Sequence, residues 1–232
     1  MQIEALLPQN NALITHHYPK SPEAEAFKVL RTNLQFLGMN KEIRSIAFTS
    51  SGPDEGKSTV LANLAVALAQ TGKKILVIDA DLRLPVQHKI FTRLNAVGLT
   101  NVLAENADLD ECIRETKSEG VYLLSSGPIP PNPAELLASE RMTCLIKKLT
   151  ERFDYVLVDT PPVLAVTDAV LLSVKVDGII LVAVSGRTRI DRAKEAKEHL
   201  VRAKARILGV VLNSVERSRE DHYYYYYYGE GK

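Results

Sequence analysis

The stretch IRSIAFTSSGPDEGKST, Ile43 to Thr59, constrains this chain more than any other. Ile43, Ile46 and Phe48 favour a strand. Gly52, Pro53 and Gly56 break it, and Leu61, Leu64, Ala65 and Leu68 then recur at helical spacing. A buried strand, a tight polar loop and a helix starting near Gly56 are expected. A helix N-terminus has unpaired N–H groups and a partial positive charge, so a phosphate can sit there. Lys57 is placed to reach the β- and γ-phosphates of a nucleotide, and the Ser58 hydroxyl to bind Mg²⁺. Gly52, Asp54, Glu55, Gly56, Lys57, Ser58 and Thr59 are therefore the nucleotide-binding candidates. The loop departs from G-x-x-x-x-G-K-[ST] at its first place, where Ser51 stands and Gly52 follows one residue late. That leaves the path of the loop open, though not the phosphate cradle.

With 232 residues, 46% of them hydrophobic, the chain can build one α/β domain with a sizeable core. The net charge of +1 gives no global basic field, so no nucleic-acid partner is expected. No apolar run approaches the roughly 18 residues of a spanning helix. MQIEALLPQNN lacks a basic region followed by an apolar run and does not resemble a signal peptide. Cys112 and Cys144 lack C-x-x-C spacing and are expected as buried thiols in a reducing cytoplasm. The five histidines make no zinc pattern, and His16 and His17 are expected to be solvated.

In chain order, residues 1–20 are expected as an extended N-terminal arm, from Pro8, Asn10, Asn11 and Pro19. Residues 21–215 form the main domain. Ser21 caps a helix from Glu23 to Leu37, with Phe27, Leu30, Leu34 and Leu37 as its apolar stripe. Glu25, Lys28 and Arg31 form a row on a neighbouring face, either solvated or a subunit contact. A second strand, Ile75 to Ile78, runs into Asp79 and Asp81. Ligands gather at the carboxyl ends of parallel strands. With Mg²⁺ present, one of these carboxylates can hold the metal's water shell and one can accept a proton. Short helices are expected between Leu84 and Glu119, a strand over Val121 to Gly127, a proline-stiffened connector to Pro133, and a helix near Ala134 to Leu149. Val156 to Val158 is a buried strand ending in Asp159, in the position of a Walker-B aspartate. Strands at Gly178 to Val184 and Ile207 to Asn213 flank a charged helix, roughly Ile190 to Ala203. Alternating strands and helices indicate a mostly parallel sheet covered on both faces. Asn213, at the last strand's end, is an adenine-contact candidate or a turn residue.

Residues 216–232 differ in kind. Tyr223, Tyr224, Tyr225, Tyr226, Tyr227 and Tyr228 are consecutive, and six adjacent side chains cannot all face one core. A flexible, exposed tail is expected. Its tyrosines are either an interaction patch or phosphorylation sites, each phosphate adding about −1.5 to −2 charges.

Taken together, ILVIDADLR, VLVDTPP and the tyrosine cluster resemble a bacterial tyrosine kinase. The type is one whose cytoplasmic catalytic protein works with a separate membrane adaptor in capsular or exopolysaccharide synthesis. The resemblance covers nearly the whole chain. It implies an α/β P-loop NTPase fold related to positioning and partition ATPases, with ATP and Mg²⁺ as cofactors. It makes Lys57 the phosphate clamp and Asp79 the base for the incoming tyrosine hydroxyl. Ser58, Asp81 and Asp159 serve the metal, and Arg83 belongs to the active-site electrostatics. The tail tyrosines are then phosphorylated by a neighbouring subunit. Glu25, Lys28 and Arg31 match a family E-x-x-R-x-x-R contact motif, with Lys in place of the first Arg, which lacks the forked geometry. The implied partners are a transmembrane adaptor of the polysaccharide co-polymerase type, further copies in a ring-like homo-oligomer, and a cognate tyrosine phosphatase. The implied location is cytoplasmic, at the inner face of the plasma membrane.

Three other readings use some of the same residues. A positioning or partition ATPase often carries a second lysine early in the loop, where this chain has Gly52. A metal-cluster carrier calls for paired cysteines. A nucleotide-gated scaffold that transfers no phosphate would bind ATP through most of the same groups.

Overall fold

A computed structural model describes residues 12–38 and 42–216. In chain order its elements are α1 (Ile14–His17), α2 (Pro22–Leu37), β1 (Ser45–Ser50), α3 (Lys57–Ala69), β2 (Ile75–Asp79), α4 (Gln87–Ile90), α5 (Leu99–Leu103), α6 (Leu109–Cys112), β3 (Ile113–Glu115), β4 (Val121–Leu124), α7 (Pro133–Ala138), α8 (Glu140–Arg152), β5 (Tyr155–Asp159), α9 (Asp168–Ser173), β6 (Gly178–Val184), α10 (Ile190–Arg202) and β7 (Ile207–Asn213). The strands form one sheet in the order β3-β4-β2-β5-β1-β6-β7. Every pairing is parallel except that of β3 with β4 at the edge.

Strands β1, β2 and β6 are buried at every position, and β5 at all but Tyr155, because both faces of the sheet are covered. Ile46 and Phe48 point to one side with Leu61, Leu64 and Leu68 of α3. Leu76, Ile78, Val156 and Val158 point to the other, with Leu145 and Leu149 of α8 and Leu200 of α10. Helix α3 runs through the molecule, with all but its first and third residues buried. Its fully buried Asn63 accepts from the Thr15 amide and donates to the Ala12 carbonyl.

The expected strands and long helices are present, with corrections. The arm expected as extended is, from Ala12 onward, packed: Leu13 and Thr15 are buried and residues 14–17 make a helical turn held by Asn63. Thr15 lies in the first turn of α1, where amides have no intrahelical acceptor, and Asn63 supplies one. His16 and His17 are exposed, although His16 Nδ1 meets Ser118 Oγ at 3.0 Å. Ser21 caps α2 through the Ala24 amide, as its sequence position predicts. Of the α2 stripe, Leu34 is buried, Phe27 and Leu30 are half-buried, and Leu37 is exposed, because the helix runs beyond its support.

The helix expected over 134–149 is two. Ser139 ends α7 and caps α8 by accepting from the Met142 amide. A serine favours such a break because its hydroxyl competes for backbone groups. The strand expected to reach Gly127 stops at Leu124, as residues 125–127 turn to bind the Asn95 and Leu99 segment. The short strand β3 was not expected from the sequence. Cys112 is buried as expected, but Cys144 is exposed on the solvent face of α8. The tail from residue 217 lies outside the described residues.

Candidate active site at the carboxyl end of the sheet

Strands β1, β2 and β5 are neighbours, and all end at the same edge of the sheet. That is where the candidate residues meet. After β1 the chain turns through residues 51–56 and enters α3 at Lys57. Gly56 has φ +83°, a left-handed conformation that glycine adopts without strain. A Cβ there would lie 2.2 Å from Asn213 Nδ2. Gly56 has no side chain to cap α3, so the first-turn N–H groups stay open to an anion.

Lys57 Nζ is the hub. It lies 3.2 Å from Asp81 Oδ2, 3.6 Å from Asp159 Oδ1 and 3.1 Å from the Ser58 hydroxyl. The lysine pKa is raised despite burial, because Asp159 and Asp81 favour the charged form. Asp79 and Asp159 are fully buried and face each other across β2 and β5. Burial, followed by the charge of Asp159, pushes the Asp79 carboxyl well above its ordinary range. Asp159 is also raised, chiefly by burial, against the opposing pull of Lys57.

Asp79 Oδ2 accepts from the amides of Val86 and Gln87 at 3.0 and 2.9 Å. Its Oδ1 is buried without a hydrogen-bond partner, as is Oδ1 of Asp159. Asp81 accepts from the Leu84 amide and so closes the turn after β2.

These oxygens suit a hard divalent cation. Among the described residues no three His, Cys, Asp or Glu side chains form a protein-only metal cage. Mg²⁺ commonly takes one or two carboxylates and completes its shell with phosphate and water. The Ser58 hydroxyl, Asp81, and the Oδ1 atoms of Asp79 and Asp159, neither of which accepts a hydrogen bond, fit that demand.

The other candidates take the following places. Arg83 donates from Nε and Nη2 to the two oxygens of Asp168, at 2.9 and 3.1 Å. Its fork is thus engaged with a buried carboxylate, not left free for the reacting groups. Glu55 turns inward: its carboxylate accepts from Ser51, Gly52 and Thr188, and its side chain faces the loop rather than a ligand. Asn213 donates to the Glu55 carbonyl at 3.2 Å and accepts from the Ser214 amide, so its amide braces the loop. Gly52 and Asp54 sit on the loop's outer turn, with Asp54 at φ +57°. Thr59 is half-buried on the first turn of α3. Far from this site, Lys28 pairs with Glu25 within α2, while Arg31 donates to the Ala67 carbonyl at 2.8 Å. The row is therefore not a uniformly free face.

Sequence reasoning missed Gln87, Asp168 and Thr188. Gln87 is fully buried and donates to Asp159 Oδ2 at 2.8 Å and to the Ser58 carbonyl at 3.1 Å. The one signal for it was its position on the far side of the D-x-D-x-R turn, and nothing in VQHKIF marks an active-site residue.

The AAA domain family matches residues 11–189. The chain is 44% identical to the tyrosine-protein kinase YwqD of Bacillus subtilis (strain 168), covering 88% of this chain and 86% of the relative. It is 39% identical to the putative tyrosine-protein kinase CapB of Staphylococcus aureus, covering 91% and 92%. It is also 38% identical to the tyrosine-protein kinase etk of Escherichia coli (strain K12), over 85% of this chain but 27% of that longer relative. Among solved structures, the chimerical protein CapA2B2 superposes with a TM-score of 0.86 at 42% identity, covering 89% and 91%. The septum site-determining protein MinD of Pyrococcus horikoshii OT3, complexed with Mg-ADP, superposes at 0.65 and 30% identity, covering 76% and 72%.

Proposed function

Because the chain belongs to the bacterial tyrosine-protein kinases, within the AAA domain family, we propose that it transfers the γ-phosphoryl group of ATP to its own tail, Tyr223 to Tyr228, between subunits. The observation that carries this is the placement of Lys57. It stands at the head of α3 between Asp81 and Asp159, with the Ser58 hydroxyl beside it. A triphosphate entering there exchanges the carboxylate partners of Lys57 for phosphate oxygens.

Phosphoryl transfer asks a protein mainly for alignment and charge neutralisation. Lys57 and the open amides of α3 hold the phosphates. Ser58, Asp81 and Asp159 would hold Mg²⁺, which would supply neutralisation of the phosphate charge. The tyrosine oxygen forms a bond to the γ-phosphorus as the bond to the bridging oxygen breaks, and ADP leaves. Tyrosine has a pKa near 10, so a carboxylate must take its proton during transfer. Asp79 is the proposed acceptor, since its raised pKa suits a group that must gain a proton. In the described conformation it is buried behind the turn at residues 80–87, so closure of the site on substrate has to open a path to Oδ1. A positioned base is often out of reach before substrate binds.

The wider setting is part of the same proposal. A ring-like homo-oligomer brings one subunit's tail to the next subunit's site. Glu25 and Lys28 of α2 are available for that contact, and Val29 and Phe36 on the same helix are exposed. A transmembrane adaptor of the polysaccharide co-polymerase type activates the kinase in exopolysaccharide or capsule synthesis, and a tyrosine phosphatase resets it. Likeness to a chimerical protein, and to a relative several times longer, supports a kinase that works joined to another polypeptide. Among the described residues no helix is long and apolar enough to cross a membrane. In this proposal the adaptor holds the kinase at the inner face of the plasma membrane.

The test is incubation with ATP and Mg²⁺ beside an adaptor's cytoplasmic segment, followed by phosphopeptide mass spectrometry. Phosphate on Tyr223 to Tyr228, absent in Lys57→Met and Asp79→Asn, is expected. ATP hydrolysis with an unmodified tail would instead favour a positioning ATPase.

A further inference from the structure

We infer that Glu55 and Thr188 form a strap that sets the shape of the phosphate loop, Glu55 acting as an internal anion and Thr188 as its anchor on the β6–α10 turn. The inference rests on the nucleotide-binding reading above. It concerns how the loop is held, which neither its motif nor its relatives assign.

The geometry is closed on every side. Glu55 is buried, although it lies in a loop of polar residues. Its Oε2 accepts from the Ser51 amide at 2.8 Å and the Gly52 amide at 3.2 Å. Its Oε1 accepts from the Ser51 hydroxyl at 2.8 Å and the Thr188 hydroxyl at 2.7 Å. The Thr188 oxygen in turn accepts from the Val184 amide at 2.8 Å, which fixes the direction of its proton. Bonds from neutral donors to an ionised carboxylate are stronger than those between neutral groups.

Two consequences follow. The amides of Ser51 and Gly52 are occupied by a carboxylate, so the anion cradle is confined to the later part of the loop and the head of α3. This also accounts for the missing first glycine: Ser51 uses both its amide and its hydroxyl on Glu55, a contact glycine could make only in part. The strap further ties the loop to β6, the neighbour of β1 on the side away from the aspartates. Glu55 and Thr188 are thus positioning residues. They touch neither substrate nor metal, and they act by holding the loop amides and Lys57 in register before nucleotide arrives.

The experiment measures Mg·ADP affinity by isothermal titration on the full chain, with no dependence on phosphoryl transfer. Thr188→Val keeps the shape of Thr188 and removes the hydroxyl. Its Kd should rise at least about tenfold, the scale of a hydrogen bond to a charged group. Thr188→Ser should restore near-native affinity. Glu55→Ala should weaken binding further, and adding Thr188→Val to it should cost nothing more, since the pair acts as one unit. In tail phosphorylation, KM for ATP should rise more than kcat falls. Native affinity in Thr188→Val, or losses that multiply in the double variant, would overturn the strap. If Glu55→Ala fails to fold, the contrast between Val and Ser at position 188 decides alone. A wild-type chain that binds no Mg·ADP would sink the nucleotide reading, and the strap with it.

Discussion

Asp79 and Asp159 are register partners on neighbouring parallel strands, and both carboxyls are fully buried. Burial raises both pKa values; the charges of Asp159 and Asp81 add to it at Asp79, and that of Asp81 at Asp159. A carboxyl raised in the folded state keeps a proton that the unfolded chain has already lost. Its contribution to stability therefore falls as pH rises from the ordinary carboxylate value of 3.8 through the raised folded value. Asp79→Asn, which does not titrate, removes that slope. Thermal melts without nucleotide or metal should show the variant gaining on the wild type as pH rises, by at least about 2 °C at neutral pH. A difference that stays flat with pH would contradict this account of the pair.

Divalent metal should matter more to this chain than to a simple phosphate binder. Mg·ADP at a hundred times its Kd is expected to stabilise by about 2.7 kcal/mol. With EDTA present the same ADP concentration should give a clearly smaller rise in melting temperature. Without the metal, Asp159, ion-paired with Lys57 at 3.6 Å, competes with phosphate for that lysine. Asp159→Asn should abolish the Mg²⁺-dependent part and leave the remainder. Equal stabilisation with and without EDTA would argue against a metal held by these carboxylates.

Arg83 and Asp168 bridge the turn after β2 to the helix that follows β5. A double-mutant cycle with Arg83→Ala and Asp168→Ala should give a coupling of about 1–3 kcal/mol in unfolding free energy. The larger single loss should be Arg83→Ala, because it strands the buried carboxylate, whereas Arg83 can turn to solvent in Asp168→Ala. Coupling near zero in urea melts would mean that the fork adds nothing to the fold.

Gly56→Ala meets two obstacles at once. A residue with a Cβ is strained at φ +83°, and that Cβ would collide with Asn213 Nδ2. Adding Asn213→Ala relieves the collision but not the backbone. Mg·ADP affinity should therefore recover only partly in the double variant. Full recovery would assign the whole effect to side-chain contact.

Much of the architecture was legible because the apolar runs at 46–48, 75–78, 156–158 and 178–184 have no other home than a two-faced sheet. Lys57, Ser58, Asp79, Asp81 and Asp159 were legible because each sits at a strand end or helix start, where chain order alone brings them to one edge. The partners were not. Asp168 lies 85 positions from Arg83, and Thr188 lies 133 positions from Glu55. Neither is adjacent to a motif, and both are common surface residue types. The break at Ser139 was hidden because apolar spacing continues across it. The packing of residues 12–17 was hidden because its partner, Asn63, reads as an ordinary polar residue in a helix.

Strand β7 runs parallel to β1 and ends at Asn213, whose side chain touches the phosphate loop. The chain beyond it therefore starts at the rim that holds the phosphate loop, and ten positions separate Asn213 from Tyr223 in the sequence. Ten residues can span at most roughly 33–36 Å. Under the proposed transfer between subunits, proximity rather than chemistry then selects the acceptor. Two copies whose loops lie much farther apart than that radius could not exchange phosphate through these tyrosines, however active each one is. A Gly/Ser insert after Glu216 would widen the set of arrangements able to react.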